Sequence, residues 1–125
     1  MIAASLPLWL ALASAGAGLP PAAPPGQAAE RGSVEDELRY AMDRAERDLR
    51  EHPMRVRDDA LEAYVRGVAC RVAGDYCGEL RVYVIEQPWF NASMAPNGMM
   101  VVWTGALLRC RDEAELAVVL GHEFA

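Results

Sequence analysis

The chain has 125 residues and a formal net charge of −6 at pH 7, enough for one domain with a modest hydrophobic core. All twelve basic residues are Arg, and they are interleaved with eighteen acidic residues. Because the sequence contains no basic stripe, its composition excludes nucleic acid as a partner.

The first 32 residues are predicted to lie outside the domain core. An apolar segment from Ile2 to Leu12 is followed by small residues, which is typical of a signal peptide, and we assign residues 1–17 to it. An uncleaved segment is the alternative, and the chain would then associate with a membrane. Residues 18–32 are rich in Pro and Ala and are predicted to form a linker. We therefore expect an exported protein, located in the bacterial periplasm.

Two helices are predicted at the start of a domain that covers residues 33–125. Ser33 begins a capping-box pattern, and apolar residues then recur at helical spacing from Val34 to Leu49. A second apolar stripe runs from Leu61 to Val72 behind the candidate caps Asp58-Asp59. Each helix has one apolar face and the connection is short, so we expect the two to pair as antiparallel neighbours. The charged face of the first helix is interpreted as solvated surface.

Cys70 and Cys77 enclose a tight loop. In an exported chain they could form a disulfide that stabilises the fold by about 2.5 kcal/mol, whereas in a cytosolic chain they would be ordinary thiols. Their six-residue gap does not match the shorter spacing of zinc knuckles. Cys110 is left over and is interpreted as a partly buried small hydrophobic residue.

A change to alternating hydrophobicity predicts strands in the second half of the chain. Leu80–Glu86 has the period-two pattern of a strand. Gln87–Gly98 is rich in Pro and Asn and is predicted to be a turn-rich connection. Met99–Trp103 is predicted to be a second strand, and Thr104 can cap a short helix that continues through Arg109.

The final stretch of the sequence is predicted to be a helix that carries a metal ligand. Asp112 begins another capping-box pattern, and Leu116–Leu120 form a nearly all-apolar run. His122 and Glu123 follow, a strongly hydrated pair whose burial is costly without a charged or hydrogen-bonding partner. A lone His-Glu pair is more often structural than metal-binding. In an HExxH motif the second His would occupy the position directly after Ala125.

The stretch from Asn91 to Glu123 resembles the zinc metallopeptidase family that includes the heat-shock protease HtpX, the CAAX prenyl protease and a group of periplasmic and mitochondrial quality-control peptidases. The blocks that carry the resemblance are Asn91-Ala92, Pro96-Asn97-Gly98, Val101–Leu108 and Asp112–Glu123. The sequence departs from the family pattern at Asn97, where the family often has Gly.

The resemblance implies an α+β fold, the first half of a zincin-like domain with two helices, a small antiparallel sheet and an active-site helix. It implies one zinc ion per complete site, with His122 as the first ligand. It makes Glu123 the base that takes a proton from the attacking water and passes it to the leaving amine. Proteases of this type bind polypeptide substrates along an edge strand. That role is predicted for Gly98, Met99, Met100, Val101, Val102 and Trp103, for which plain sheet core is the alternative.

A catalytic zinc site needs three protein ligands, and this sequence offers one. We therefore interpret the 125 residues as a fragment of a zinc metalloendopeptidase that is inactive by itself. The alternative is a non-catalytic exported remnant or a small protein-interaction module.

Overall fold

The computed structural model describes residues 24–124. The predicted signal peptide at 1–17 lies outside these residues. Of the predicted linker, residues 24–32 are described and contain turns but no helix or strand. The elements that follow are α1 (Val34–Arg50), α2 (Asp59–Ala73), a short 3-10 helix (Gly74–Glu79), β1 (Arg81–Ile85), β2 (Ala92–Met94), β3 (Met99–Trp103), α3 (Thr104–Arg109) and α4 (Glu113–Phe124).

The first two helices begin at the predicted caps. The Ser33 hydroxyl accepts a hydrogen bond from the backbone N–H of Asp36 at 3.1 Å. The Asp36 carboxylate accepts from the N–H of Gly32, at 2.9 Å, rather than from that of Ser33. Asp58 caps α2 through the N–H of Leu61, at 3.0 Å. Short polar side chains thus satisfy N–H groups that a helix start leaves without partners.

The sheet is mixed, which corrects the prediction of an antiparallel sheet. Its strand order is β1-β3-β2; β3 runs parallel to β1 and antiparallel to β2. The difference arises in the connection that was predicted to lack regular structure, because that connection contains β2. The chain reverses direction once before β2 and once after it, so β3 runs in the same direction as β1.

The hydrophobic core lies between one face of the sheet and the pair α2 and α4. α2 packs against α4 and against β1. The side chains that share this core are buried and apolar: Val65, Val68, Ala69, Val82, Val84, Met100, Val102, Leu116 and Leu120. Burial of these side chains is the main stabilising contribution. The predicted α+β fold is confirmed.

α1 lies on the opposite face of the sheet and does not form the predicted pair with α2. Its single buried residue is Glu46, which is 3% exposed. The carboxylate of Glu46 accepts hydrogen bonds from Arg81, at 2.6 and 2.8 Å, and from the Tyr83 hydroxyl, at 2.7 Å. It also accepts from the Asn97 side chain, at 3.0 Å. The charged face of α1, predicted to be solvated, is therefore the face that contacts the sheet.

Two local features lie in the segments that precede β1 and β3. Cys70 and Cys77 are joined by a disulfide bond that links the end of α2 to the 3-10 helix. Gly98, just before β3, has φ +89°, and a Cβ at this position would lie 2.2 Å from the carbonyl oxygen of Glu79. Only Gly fits this close approach without a shift of the backbone.

Candidate metal centre

α4 carries the candidate metal ligand and begins as predicted. The Asp112 carboxylate accepts from the N–H of Glu115, at 2.9 Å. The Glu115 carboxylate accepts from the N–H of Arg111, at 2.7 Å. A capping box would have the N–H of Asp112 as the donor. Hydrogen bonds from the Arg111 side chain and backbone lower the pKa of Glu115. The start of α4 is thus fixed by side chains at its own N-terminus.

The other end of α4 is anchored by apolar contacts. Leu116 and Leu120, one turn apart, are buried in the core. The ring of Phe124 contacts that of Tyr76 edge to face, with centroids 5.6 Å apart. Gly121 lies close to α2, because a Cβ there would be 3.8 Å from the Cβ of Val72. These contacts fix the rotation of the helix and hence the direction of its remaining side chains.

His122 and Glu123 lie on the part of this anchored helix that the core does not cover. His122 is exposed and Glu123 is half-buried. Neither side chain forms a hydrogen bond or ion pair with any residue between 24 and 124. The imidazole is therefore available as a ligand, and the neighbouring carboxylate is available as a base.

The donor set is compatible with zinc but is not a complete site. Among the described residues, no cluster of three or more His, Cys, Asp or Glu side chains could hold a metal ion. The Cys70 thiol is used in the disulfide. The assignment of His122 as a metal ligand, with Glu123 beside it, stays a prediction.

β2 is the edge strand of the sheet next to α4; within it Ala92 is buried and Met94 is half-buried. β2 and α4 are in contact. Asn91 O and Ala95 N both bond to β3, at 3.0 and 2.8 Å. Because alternate residues of an antiparallel strand bond to the same neighbour, the N–H and C=O groups of Ala92 and Met94 point away from β3. No other backbone group of residues 24–124 bonds to this edge.

The predicted edge-strand role of Gly98, Met99, Met100, Val101, Val102 and Trp103 is therefore wrong. Residues 99–103 form the central strand, which is paired with β1 on one side and with β2 on the other. Their backbone groups are already used and cannot bind an extended peptide. β2 is not recognisable from the sequence pattern, because it is three residues long and lies among Pro and Asn. The Asn91-Ala92 block was the signal that could have identified it.

Two aromatic side chains are exposed just before β2. Trp89 is 68% exposed and Phe90 is 52% exposed, although the backbone beside them is held firmly. Gln87 exchanges two hydrogen bonds with the Thr104 hydroxyl, at 3.0 and 3.1 Å, and its carbonyl accepts from the N–H of Gly105, at 2.8 Å. The backbone that precedes these two aromatic residues is therefore held in place at one end of the β2 edge.

Within residues 24–124, no helix is long and apolar enough to cross a membrane.

Comparisons with known proteins point to one group of enzymes. The sequence model of peptidase family M48 matches residues 55–125. The chain is 43% identical over 44 residues to the human mitochondrial metalloendopeptidase OMA1, a match that covers 35% of this chain and 8% of the human protein. The protein of the same name from Danio rerio is 43% identical over 44 residues, covering 35% and 9%. The mitochondrial metalloendopeptidase OMA1 of Arabidopsis thaliana is 45% identical over 42 residues, covering 34% and 9%.

The chain thus spans less than a tenth of the length of these relatives. No solved structure matches it. The predicted bacterial periplasmic location is wrong on this comparison, because the animal and plant relatives are mitochondrial proteins by name.

Proposed function

Because the chain belongs to peptidase family M48, we propose that it contributes the zinc-binding helix and the substrate-binding strand of a metalloendopeptidase. The observation that carries this proposal is the position of His122 and Glu123. Both lie at the end of a helix whose Leu120 and Phe124 are packed against the rest of the fold, and both lack partners among the described residues. This helix contacts β2, the strand with the free edge.

The two site residues have different roles in the proposed reaction. His122 would hold zinc through a neutral imidazole nitrogen. Zinc, when bound, supplies Lewis-acid activation of water and of the peptide carbonyl. The Glu123 carboxylate accepts a proton from the attacking water and then delivers it to the nitrogen of the departing amine. The Glu123 side chain is half-buried and therefore still reaches solvent.

Two further ligands are needed, and the family pattern assigns them to a His four residues after His122 and to a Glu on a later helix. A polypeptide of these 125 residues alone has one of the three protein ligands of a catalytic zinc site. We therefore propose that residues 24–124 supply one part of the metal site and that peptide hydrolysis needs the two further ligands.

The substrate proposed is an extended polypeptide that pairs with β2. The outward N–H and C=O groups of Ala92 and Met94 can form the main-chain hydrogen bonds of an added strand. Such a strand would lie beside α4, the helix that carries Glu123. Trp89 and Phe90 lie at one end of this strand, where they can contact apolar side chains of the substrate.

A pair of N-methylated peptides tests both parts of this proposal on the product of the complete reading frame. In the first peptide, N-methyl groups on alternate residues remove the N–H donors that would face β2. In the second peptide, the N-methyl groups are on the intervening residues, whose N–H groups would face away from β2. We expect the first peptide to show a KM raised about tenfold or more, because each lost hydrogen bond costs roughly 1 kcal/mol. The second peptide should be cleaved like the unmodified one.

The outcomes separate the two claims. Equal cleavage of both N-methylated peptides contradicts pairing with β2 but leaves the peptidase intact. Absence of zinc-dependent cleavage of the unmodified peptide contradicts the peptidase itself and favours a non-catalytic interaction module.

A further inference from the structure

One apolar side of α1 has no partner among the described residues. We define the α1 stripe as Val34, Leu38, Ala41 and Ala45. Val34 is 62% exposed, Leu38 is 47% exposed, and both Ala residues are exposed. None of the four belongs to the hydrophobic core. The stripe is exposed because α1 contacts the sheet through Glu46, which lies roughly 100° around the helix from it.

The spacing of the stripe is that of a helix that pairs with another helix. Its residues are separated by four, three and four positions, the alternation found at the contact positions of coiled coils. The stripe extends for roughly 17 Å along the helix. An apolar row of this kind on one side of an exposed helix binds by placing its side chains between those of a facing helix.

We infer that the α1 stripe binds the same stripe of a second copy of this chain, with the two helices antiparallel. A two-fold axis that passes between Leu38 and Ala41 places each Leu38 opposite Ala41 of the second copy. The same axis places each Val34 opposite Ala45. Every large side chain thus faces a small one, which lets the two helices approach closely without a clash.

Charge complementarity selects this arrangement. Glu37 and Arg44 are exposed and flank the stripe on the same side. Neither forms an ion pair or a side-chain hydrogen bond with any residue of the described chain. In the antiparallel pair, each Glu37 lies beside Arg44 of the second copy, so two ion pairs form. In a parallel pair, these charges would instead lie beside the half-buried Met42 and Leu49.

The oligomeric state of the 125-residue chain tests this inference by sedimentation equilibrium. The Cys110→Ser background prevents an intermolecular disulfide from contributing. We expect a reversible dimer of modest affinity, because two short helices bury less surface than a standard interface. Glu37→Arg or Arg44→Glu alone should raise the dissociation constant of the dimer about tenfold. The variant that combines both substitutions should have the wild-type dissociation constant again.

Leu38→Glu supplies the test of the apolar contacts, with Val118→Glu on α4 as the matched control. Val118 is also an exposed apolar residue, 73% exposed, but it lies on a different helix. We expect Leu38→Glu to abolish the dimer and Val118→Glu to leave it unchanged, with both variants folded by circular dichroism. A monomer at all soluble concentrations overturns the inference, as does a variant with both charge substitutions that fails to restore binding. The inference does not depend on the proposed peptidase activity.

Discussion

Replacing Glu123 with Gln is expected to lower the kcat for peptide hydrolysis by about 10²–10⁴-fold, the usual contribution of a general acid-base group. The measurement is made on the product of the complete reading frame with saturating peptide. Gln has the shape of Glu and can still accept a hydrogen bond, but it cannot take a proton from the attacking water. The loss should therefore appear in kcat with little change in KM.

Glu113→Gln is the matched control, because it makes the same change at the other end of α4. The Glu113 carboxylate is paired with Arg71 at the surface, where such pairs contribute little to stability. We expect this variant to hydrolyse peptide at the wild-type rate. A Glu123→Gln variant that keeps its activity would remove Glu123 from the mechanism.

Replacing Glu46 with Gln is expected to reduce the free energy of unfolding by about 3 kcal/mol at pH 7. The Glu46 carboxylate is buried, and its hydrogen bond from Arg81 is the main cause that lowers its pKa from 4.5 to about 2; burial opposes this shift. The Tyr83 hydroxyl bond and the charges of Arg81 and Arg50 lower it further. Gln keeps the volume but removes the charge on which this cluster depends.

The same shift predicts how this difference depends on pH. The pKa of Glu46 is lower in the folded state than in the unfolded state, so its contribution is fully present above about pH 4.5. The contribution is lost as pH falls through about 2, below which Glu46 is protonated in both states. Urea unfolding between pH 7 and pH 2 should show the wild type and Glu46→Gln converging at the acid end.

Glu35→Gln on the same helix provides the control for this experiment. Glu35 forms an i,i+4 pair with Arg39, a type of pair worth about 0.5 kcal/mol or less. We expect the Glu35→Gln change at pH 7 to be small compared with that of Glu46→Gln. If Glu46→Gln were as mild as Glu35→Gln, the carboxylate would not be the group that attaches α1 to the sheet.

The starts of α1, α2 and α4 were predictable because the signals that set them are local, whereas the predicted Thr104 cap of α3 is wrong, because the Thr104 hydroxyl bonds to Gln87. Ser33, Asp58 and Asp112 each bond to an N–H three residues on. The buried strands β1 and β3 were also recognisable, from alternation and from a short apolar run. Such features need no knowledge of distant residues.

The orientation of α1 could not be predicted in this way. An amphipathic pattern places apolar residues inside and charges outside, because burying a carboxylate is costly without partners. The Glu46 carboxylate has such partners, but Arg81, the nearest of those on the sheet, is 35 residues away from Glu46 in the sequence. The edge position of β2 was hidden for the same reason, because strand order depends on pairing between distant segments.

Zinc content tests most directly whether α4 is the metal helix. The product of the complete reading frame should contain about one zinc ion per chain. His122→Ala should lose this zinc, whereas His52→Ala should keep it, because His52 follows α1 and its Nδ1 accepts a backbone hydrogen bond from Met54 at 3.1 Å. Zinc retained at full stoichiometry in His122→Ala, or absent from the wild type, would contradict the assignment of His122 as a zinc ligand.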